Sequence, residues 1–422
     1  MKGAGTLTAK ILQAHQRAPA RPGSRFFRAE VDLVLGHDAT IALIIDRLKA
    51  SGRPIRHPER CLFAADHFVP PASAERAEIL HDYIAFVRES GIDPSHLFQG
   101  ISHQLMLEDA RCLPGVLICG ADSHTTMAGA LGAFAAGFGS TDILAILLTG
   151  EAIVRVPEAF RIDVHHRLPP FTLPKDVALH MMSVFGEDGA TWRALEFVDH
   201  GRGLTVPARA TISNMAVDCG AKNAIWIPDD ETSAFLRRRD GGVRVDLASF
   251  RPDDDADYSR TLHFDLAEME PMIARPGSPA DVVPLRGMEG EAVDQVVLGS
   301  CTSSDGEDIV RAARALRGRR VAPGVRVVVT PASARVYRSL LDRGALRDLS
   351  EAGAIITAPS CGACGGIDKG LLGAGEVCIS TSNRNFRGRM GHPDARVYLG
   401  SGLSAAAAAL TGRIIDPREV FA

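Results

Sequence analysis

The sequence predicts an α/β protein built on parallel strands, and three observations carry that reading. Short runs of Val, Ile, Leu and Ala stop at small or polar clusters, several runs are followed by a helical pattern, and glycine is abundant (41 residues) while aromatics make up only 5%. Strands of a parallel sheet are buried on both faces, so they read as continuous apolar runs and not as alternating ones. In chain order, CLFAAD stops at His67, GVLICGA at Asp122, VDQVVLGS at Cys301, VRVVVT at Pro331, GAIITAPS at Cys361, GEVCIST at Ser382 and VYLGS at Gly402. GEDIVRAARALRG after Cys301 and SARVYRSLLDRGAL after Pro331 space their apolar residues as helices do, which suits crossovers between parallel strands. Polar loops therefore fall at the carboxyl ends of strands, where open α/β sheets place their ligands.

A chain of 422 residues with 46% hydrophobic content exceeds one ordinary domain. The Pro- and Gly-bearing stretch near residues 274–292 reads as a boundary, and we expect α/β domains at 1–158, 159–282 and 283–422. A formal charge of −4 removes a broad basic face for nucleic acid. Apolar stretches such as Ala405–Leu410 fall far short of the ~20 residues that span a bilayer and read as helix interior. No membrane partner is expected, and the first segment lacks a secretory apolar core, so a cytoplasmic location is expected despite the lack of acidic residues before Glu30. Arg237–Arg239 and Asp253–Asp255 read as solvated charge.

Of the eight cysteines, Cys61, Cys112, Cys119, Cys219 and Cys378 sit beside apolar neighbours and read as buried thiols. Cys361 and Cys364 form a C-x-x-C in PSCGACGG, which alone is ambiguous between zinc, a redox dithiol, an iron–sulfur cluster and plain packing. Zinc recedes because there is no second paired set, and a redox pair recedes less, because this one sits in a Gly-rich loop late in the chain. Cys301 in GSCTSS, also in a small-residue turn at a strand end, changes the balance, because three thiolates can then converge. Three protein ligands on a cubane leave one iron open as a Lewis acid, which points to hydration chemistry.

TSNRNFRGRMG supplies Asn383, Arg384 and Arg389 after the strand with Cys378, and guanidinium forks suit a di- or tricarboxylate. Asp66-His67, His103-Gln104 and Asp122-Ser123-His124 bring acid/base groups to strand ends or turns, where an Asp–His pair can orient and protonate a leaving hydroxyl. A Ser/His/Asp triad is a poor reading of DSH, because adjacent residues cannot fold back into one and no G-x-S-x-G is present.

Together these motifs resemble the aconitase superfamily, in particular the large-subunit type of two-chain 3-isopropylmalate dehydratases and homoaconitases. The likeness runs from GTLTAKILQAH through RPG, DLVLGHDAT, DHFVPP, GISHQLMLED, GADSHTT, ISNMAVDCGAK, GSCTSS, PSCGACGG and SNRNFRGR to DPREVF, nearly the whole chain. The resemblance implies three α/β/α domains around a [4Fe-4S] cluster held by Cys301, Cys361 and Cys364. The first domain would carry the acid/base loops, and the third the cluster cysteines and substrate arginines. Asp66, His67, His103, Asp122, His124 and Asp218 would form the acid/base network. Ser123, Asn383, Arg384 and Arg389 would bind substrate carboxylates, with His37, Gln104 and Asn214 lining the site. The implied reaction dehydrates and rehydrates a hydroxy di- or tricarboxylate, in the first instance 2-isopropylmalate to 3-isopropylmalate in leucine biosynthesis. Homoaconitate, citramalate and dimethylmalate chemistries are the nearest alternatives, and a non-catalytic or RNA-binding relative is an alternative of another class.

The chain departs from the family pattern at Asp218 (usually Glu), Ser303 (usually Asn), Asp305 (often Arg), Gly365 (commonly Leu) and Met127-Ala128 (usually polar). Single-chain relatives continue past DPREVF into a swivelling fourth domain, so the resemblance also implies a separate small subunit that completes the active site.

Overall fold

The computed structural model describes residues 3–422 except 20, 22, 242–244, 289 and 304. Pro22 of the RPG motif and Ser304 of GSCTSS thus lie outside the described residues. The chain forms two compact units, one of Met1–Phe98, Ser102–His166 and Ala190–Phe264, the other of Gln99–Ile101, Arg167–Gly189 and Asp265–Ala422.

The first unit holds a four-stranded parallel sheet in the order Cys61–Ala64, Leu33–His37, Leu117–Gly120, Phe134–Gly137. Nearly every residue of these strands is buried, as expected for a parallel sheet covered on both sides. A second sheet runs Asn223–Trp226, Ala194–Asp199, Ala159–His165, Tyr258–Asp265, and its first three strands are parallel. Gln16–Pro19, Phe27–Glu30 and Glu151–Val154 make a small antiparallel sheet.

The second unit is built on seven strands in the order Val282–Pro284, Met272–Ala274, Arg396–Leu399, Val377–Ser380, Gln295–Gly299, Arg326–Thr330, Ile355–Ile356. The last five are mutually parallel. From Gln295–Gly299 the chain first builds outward through Arg326–Thr330 to Ile355–Ile356, then returns to the other side through Val377–Ser380. That reversal is a topological switch point, the place where such sheets bind ligands. Helix Glu307–Leu316 buries Ile309, Ala312, Ala313 and Leu316, a stripe of i, i+3, i+4, i+7 spacing. Ser333 caps the next helix, Ala334–Asp342, by accepting the Val336 N–H at 3.1 Å. The alanine run is the core of helix Gly402–Thr411, where side chains without rotamer entropy pack fully buried.

All seven apolar runs named above are strands, and the α/β reading holds. The stretch near 274–292 carries antiparallel strand Val282–Pro284, which pairs with Met272–Ala274 at the edge of the seven-stranded sheet. Pro284 sits on the outermost strand, where a missing N–H breaks no ladder.

Candidate functional site

In the first unit, His37 ends its strand, while Asp66-His67 and Asp122-Ser123-His124 follow two others. Because these strands are parallel, the loops leave from one edge of the sheet. Asp38, not singled out from the sequence, organises the second loop. Fully buried, it accepts the backbone N–H groups of Asp66, His67 and Phe68 at 3.3, 3.0 and 2.8 Å. Asp66 accepts the Ser102 N–H at 2.6 Å, which ties the start of helix Ser102–Glu108 to the loop and brings in His103 and Gln104. Arg239 is not merely solvated charge: it donates to the carbonyls of Leu107 and Cys112 at 3.0 and 2.9 Å, holding the other end of that helix.

Two linked carboxylate–histidine groups result. Asp66 Oδ1 lies 2.5 Å from His67 Nδ1, and the His67 ring stacks on His37 at 4.0 Å. Burial opposes ionisation of both partners, but their mutual attraction outweighs it: Asp66 is held well below the usual carboxylate range, and His67 is raised to about 9. Asp122 is surrounded by His103 Nε2 at 3.1 Å, His124 Nδ1 at 3.4 Å and His37 Nε2 at 3.5 Å. Burial alone would raise this carboxyl, yet the imidazoles, His103 foremost, hold it far below its ordinary value. Beyond these contacts with Asp122, the ring nitrogens of buried His37 and His103 make no hydrogen bond of good geometry among the described residues. Buried donors and acceptors in that state are costly unless something else engages them, as a substrate would.

Asp218, on the turn Ala216–Cys219, brings Oδ2 to 3.6 Å from His124 Nε2, so the shorter side chain still reaches the network. Asn214 is fully buried and donates to Met127 Sδ at 3.4 Å, which gives one of the departures a local partner. Ser123 lies 3.5 Å from His124 Nδ1, and Gln104 donates to Glu108 at 2.8 Å.

In the second unit, Cys301 begins a turn just past Gln295–Gly299, Cys361 immediately precedes and Cys364 lies within the turn Gly362–Gly365 after Ile355–Ile356, and Asn383 follows Val377–Ser380. The loops meet at Asn383, whose Nδ2 donates to Cys301 Sγ at 3.4 Å while its Oδ1 lies 3.4 Å from Cys364 Sγ. Thr381 fastens two loops together, accepting the Gly299 N–H at 2.9 Å and the Thr302 hydroxyl on its carbonyl at 2.5 Å. Gly299 has φ of +116°, and a Cβ there would lie 1.9 Å from the Thr330 carbonyl oxygen, so only glycine fits. Ser300, with φ of +83°, is a non-glycine held in a left-handed conformation immediately before Cys301. At Gly365 a Cβ would stand 3.0 Å from Ile367 Cδ1 and 3.3 Å from Cys361 Sγ, so a larger side chain there would require these neighbours to shift. Ser303 is buried on the Cys301 turn, whereas exposed Asp305 accepts the Glu307 N–H at 3.0 Å.

Sequence reasoning also passed over Lys175. Fully buried, it donates from Nζ to the Ser382 carbonyl at 2.5 Å, one residue before Asn383. A lone lysine in the apolar helix Pro174–Phe185 was the available signal. Arg384 and Arg389 belong to the segment that follows Asn383. All eight cysteines are free thiols. Burial pushes Cys61 up to about 12 and Cys119, Cys219 and Cys378 higher still, which leaves these four inert. Three thiols from two loops at a switch point, two of them touching one amide, are a donor set that fits a three-cysteine cluster.

Among the described residues no helix is long and apolar enough to cross a membrane. A family model described as the aconitase family (aconitate hydratase) matches residues 9–292 and 287–412. The chain is 41% identical over 417 residues to "3-isopropylmalate dehydratase large subunit 2" of Archaeoglobus fulgidus, an alignment covering 98% of this chain and 99% of that one. It is 42% identical over 420 residues to "3-isopropylmalate dehydratase large subunit 1" of Methanopyrus kandleri, with the same coverage. Among solved structures, that of Thermococcus kodakaraensis aconitase X in its holo-form superposes with a TM-score of 0.54 over 87% of this chain and 88% of that one. At 12% identity this last likeness speaks to the fold alone.

Proposed function

Because the chain belongs to the aconitase family, we propose that it is the large, cluster-bearing subunit of a hydro-lyase that isomerises 2-isopropylmalate to 3-isopropylmalate by dehydration and rehydration. The observation that carries this reading is the likeness to large subunits of 3-isopropylmalate dehydratase over 98% of the chain. Cys301, Cys361 and Cys364 would hold a [4Fe-4S] cluster, which supplies a Lewis acid for the substrate hydroxyl and carboxylate.

The rest of the chemistry belongs to the chain's own residues. His67, cationic at neutral pH, holds its Nδ1 proton toward Asp66 and presents Nε2–H as a proton donor. Asp122 stays ionised and orients His103 and His124, with Asp218 bracing His124 from the other ring nitrogen. His103 stands toward the leaving hydroxyl. Asn383 positions the thiolates, and Ser123, Arg384 and Arg389 bind the substrate carboxylates, the arginines through planar forks. His37, Gln104 and Asn214 line the site. A small subunit is the expected partner, and a cytoplasmic setting with reduced thiols suits the chemistry.

The test is anaerobic iron and sulfide content per chain, followed by an EPR spectrum after mild oxidation. About four irons falling to three with a 3Fe signal is the expected result. In Cys361→Ser, loss of that iron is expected because an alkoxide replaces a thiolate poorly. Zinc or no metal in the wild type, or full iron in the variant, overturns the assignment.

A further inference from the structure

Strand Val377–Ser380 opens into the loop that carries Asn383, and that loop is fixed on both sides of the asparagine. Thr381 donates its backbone N–H to the Val297 carbonyl at 3.0 Å, and its own carbonyl accepts the Thr302 hydroxyl. Ser382 donates its N–H to Ser380 Oγ at 3.1 Å, and the two hydroxyls meet at 2.8 Å, so these groups are satisfied at the strand end itself. Asn385 donates from Nδ2 to the Arg275 and Val397 carbonyls at 2.7 and 3.0 Å. The Ser382 carbonyl is gripped from elsewhere in the unit, by Nζ of Lys175 on the second residue of helix Pro174–Phe185. Lys175 is fully buried, and it reaches across 207 residues of chain to make that bond.

An ammonium taken out of water is expensive even when balanced, and an apolar side chain of similar length would often serve stability as well, so a buried lysine calls for a reason beyond packing. Two buried carboxyls, Asp176 and Asp308, feel its charge and balance it. Its bond to Ser382 has a directional consequence. A carbonyl shares one plane with the N–H that follows it, so holding the Ser382 oxygen sets the direction in which the backbone enters Asn383. Asn383 is the residue whose Nδ2 donates to Cys301 Sγ at 3.4 Å. We propose that Lys175 is a positioning residue for the cluster: through the Ser382–Asn383 peptide it holds the Asn383 amide against the Cys301 sulfur, and so sets how firmly iron is retained. The inference rests on the cluster reading of Cys301, Cys361 and Cys364. Hydrogen bonds to ligating sulfurs, and the outer partners that orient such groups, govern how a metal site behaves.

Titrating an iron chelator into the anaerobic, cluster-loaded full chain tests this without any turnover. The chelator concentration that strips half of the iron should fall roughly tenfold in Lys175→Met, the scale on which outer partners of a metal site act. Asn383→Ala should show a similar fall, and the double variant no greater one than Asn383→Ala alone, because two residues that work through one bond are not additive. A role in packing alone would lower the melting temperature of Lys175→Met and leave the half-stripping concentration where it was. That result overturns the proposal, as do two factors that multiply to roughly a hundredfold in the double variant. If Lys175→Met shows no melting transition, the same cycle run with Lys175→Arg decides, with the same coupling expected, since a guanidinium keeps its donors but presents them in another geometry. A wild type that holds no iron would overturn the cluster reading itself, so the two failures are told apart.

Discussion

At the residue scale, two of the buried carboxylates, Asp66 and Asp308, behave in opposite ways, and pH separates them. His67 is raised from 6.5 to about 9 by Asp66 against the pull of burial. The ion pair thus contributes stability that is complete below about 6.5 and is lost as pH rises through about 9, at most ~3 kcal/mol. In Asp66→Asn the nearest partner charge is gone while Asp38 and Asp122 remain, so the His67 ring should titrate well below about 9. Histidine NMR against pH reads this directly, and an unmoved His67 titration would remove the pair from the mechanism. Asp308, fully enclosed near Asp305, Asp176 and Lys175, is instead raised to about 7, chiefly by burial and then by its acidic neighbours. A carboxyl with a raised folded-state pKa binds its proton longer than the unfolded chain does. Its cost therefore grows from about pH 4 upward and is complete above about 7. Asp308→Asn should raise the melting temperature more at pH 8 than at pH 5, by a stabilisation of no more than ~4 kcal/mol. Equal shifts at the two pH values would refute the ionisation argument.

At the scale of elements, what the sequence reveals depends on whether an element carries its own signature. Strands such as Gln295–Gly299 and Leu117–Gly120 are buried on both faces, so they stand out as apolar runs, and the loops holding Cys301 and Asp122 could be placed at their ends. The strands Met272–Ala274 and Val282–Pro284 escaped notice because Pro and Gly around them read as a linker. Asp38 escaped because its role is to accept three backbone N–H groups, and nothing in a sequence marks which carboxylate does so. Lys175 stands out in its helix, but its partner Ser382, 207 residues on, is visible only once the chain is folded. The DSHTT loop shows the same limit: it forms a nine-residue 3-10 helix, Ser123–Leu131, whose shape depends on what it packs against. At Gly129 a Cβ would lie 1.9 Å from the Ala224 carbonyl oxygen on strand Asn223–Trp226. Gly129→Ala should therefore force this segment off the strand, costing roughly 1–3 kcal/mol by overpacking and displacing Ser123 and His124. Urea denaturation together with turnover measures both effects, and wild-type stability with wild-type turnover would show that the segment is not held by that contact.

For the molecule as a whole, the ionisation states decide what must come from outside it. Hydration across a carbon next to a carboxylate needs both a proton donor and a base. Within the first unit His67 is already protonated at neutral pH, and Asp66 and Asp122 are so strongly acidic that they make poor proton acceptors. These groups suit the donor and orienting half of the reaction better than the base. The relatives named as large subunits point to a second chain, and we expect that chain to bring the base. The chain alone should then carry its full iron complement and yet turn over isopropylmalate slowly, with a cognate small subunit raising kcat by orders of magnitude and leaving iron content unchanged. Anaerobic assay of the chain with and without that subunit, at matched iron, is the measurement. Equal activity in the two samples would mean that a group on this chain serves as base. His37 and His103, buried imidazoles that face Asp122, would then be the first residues to substitute.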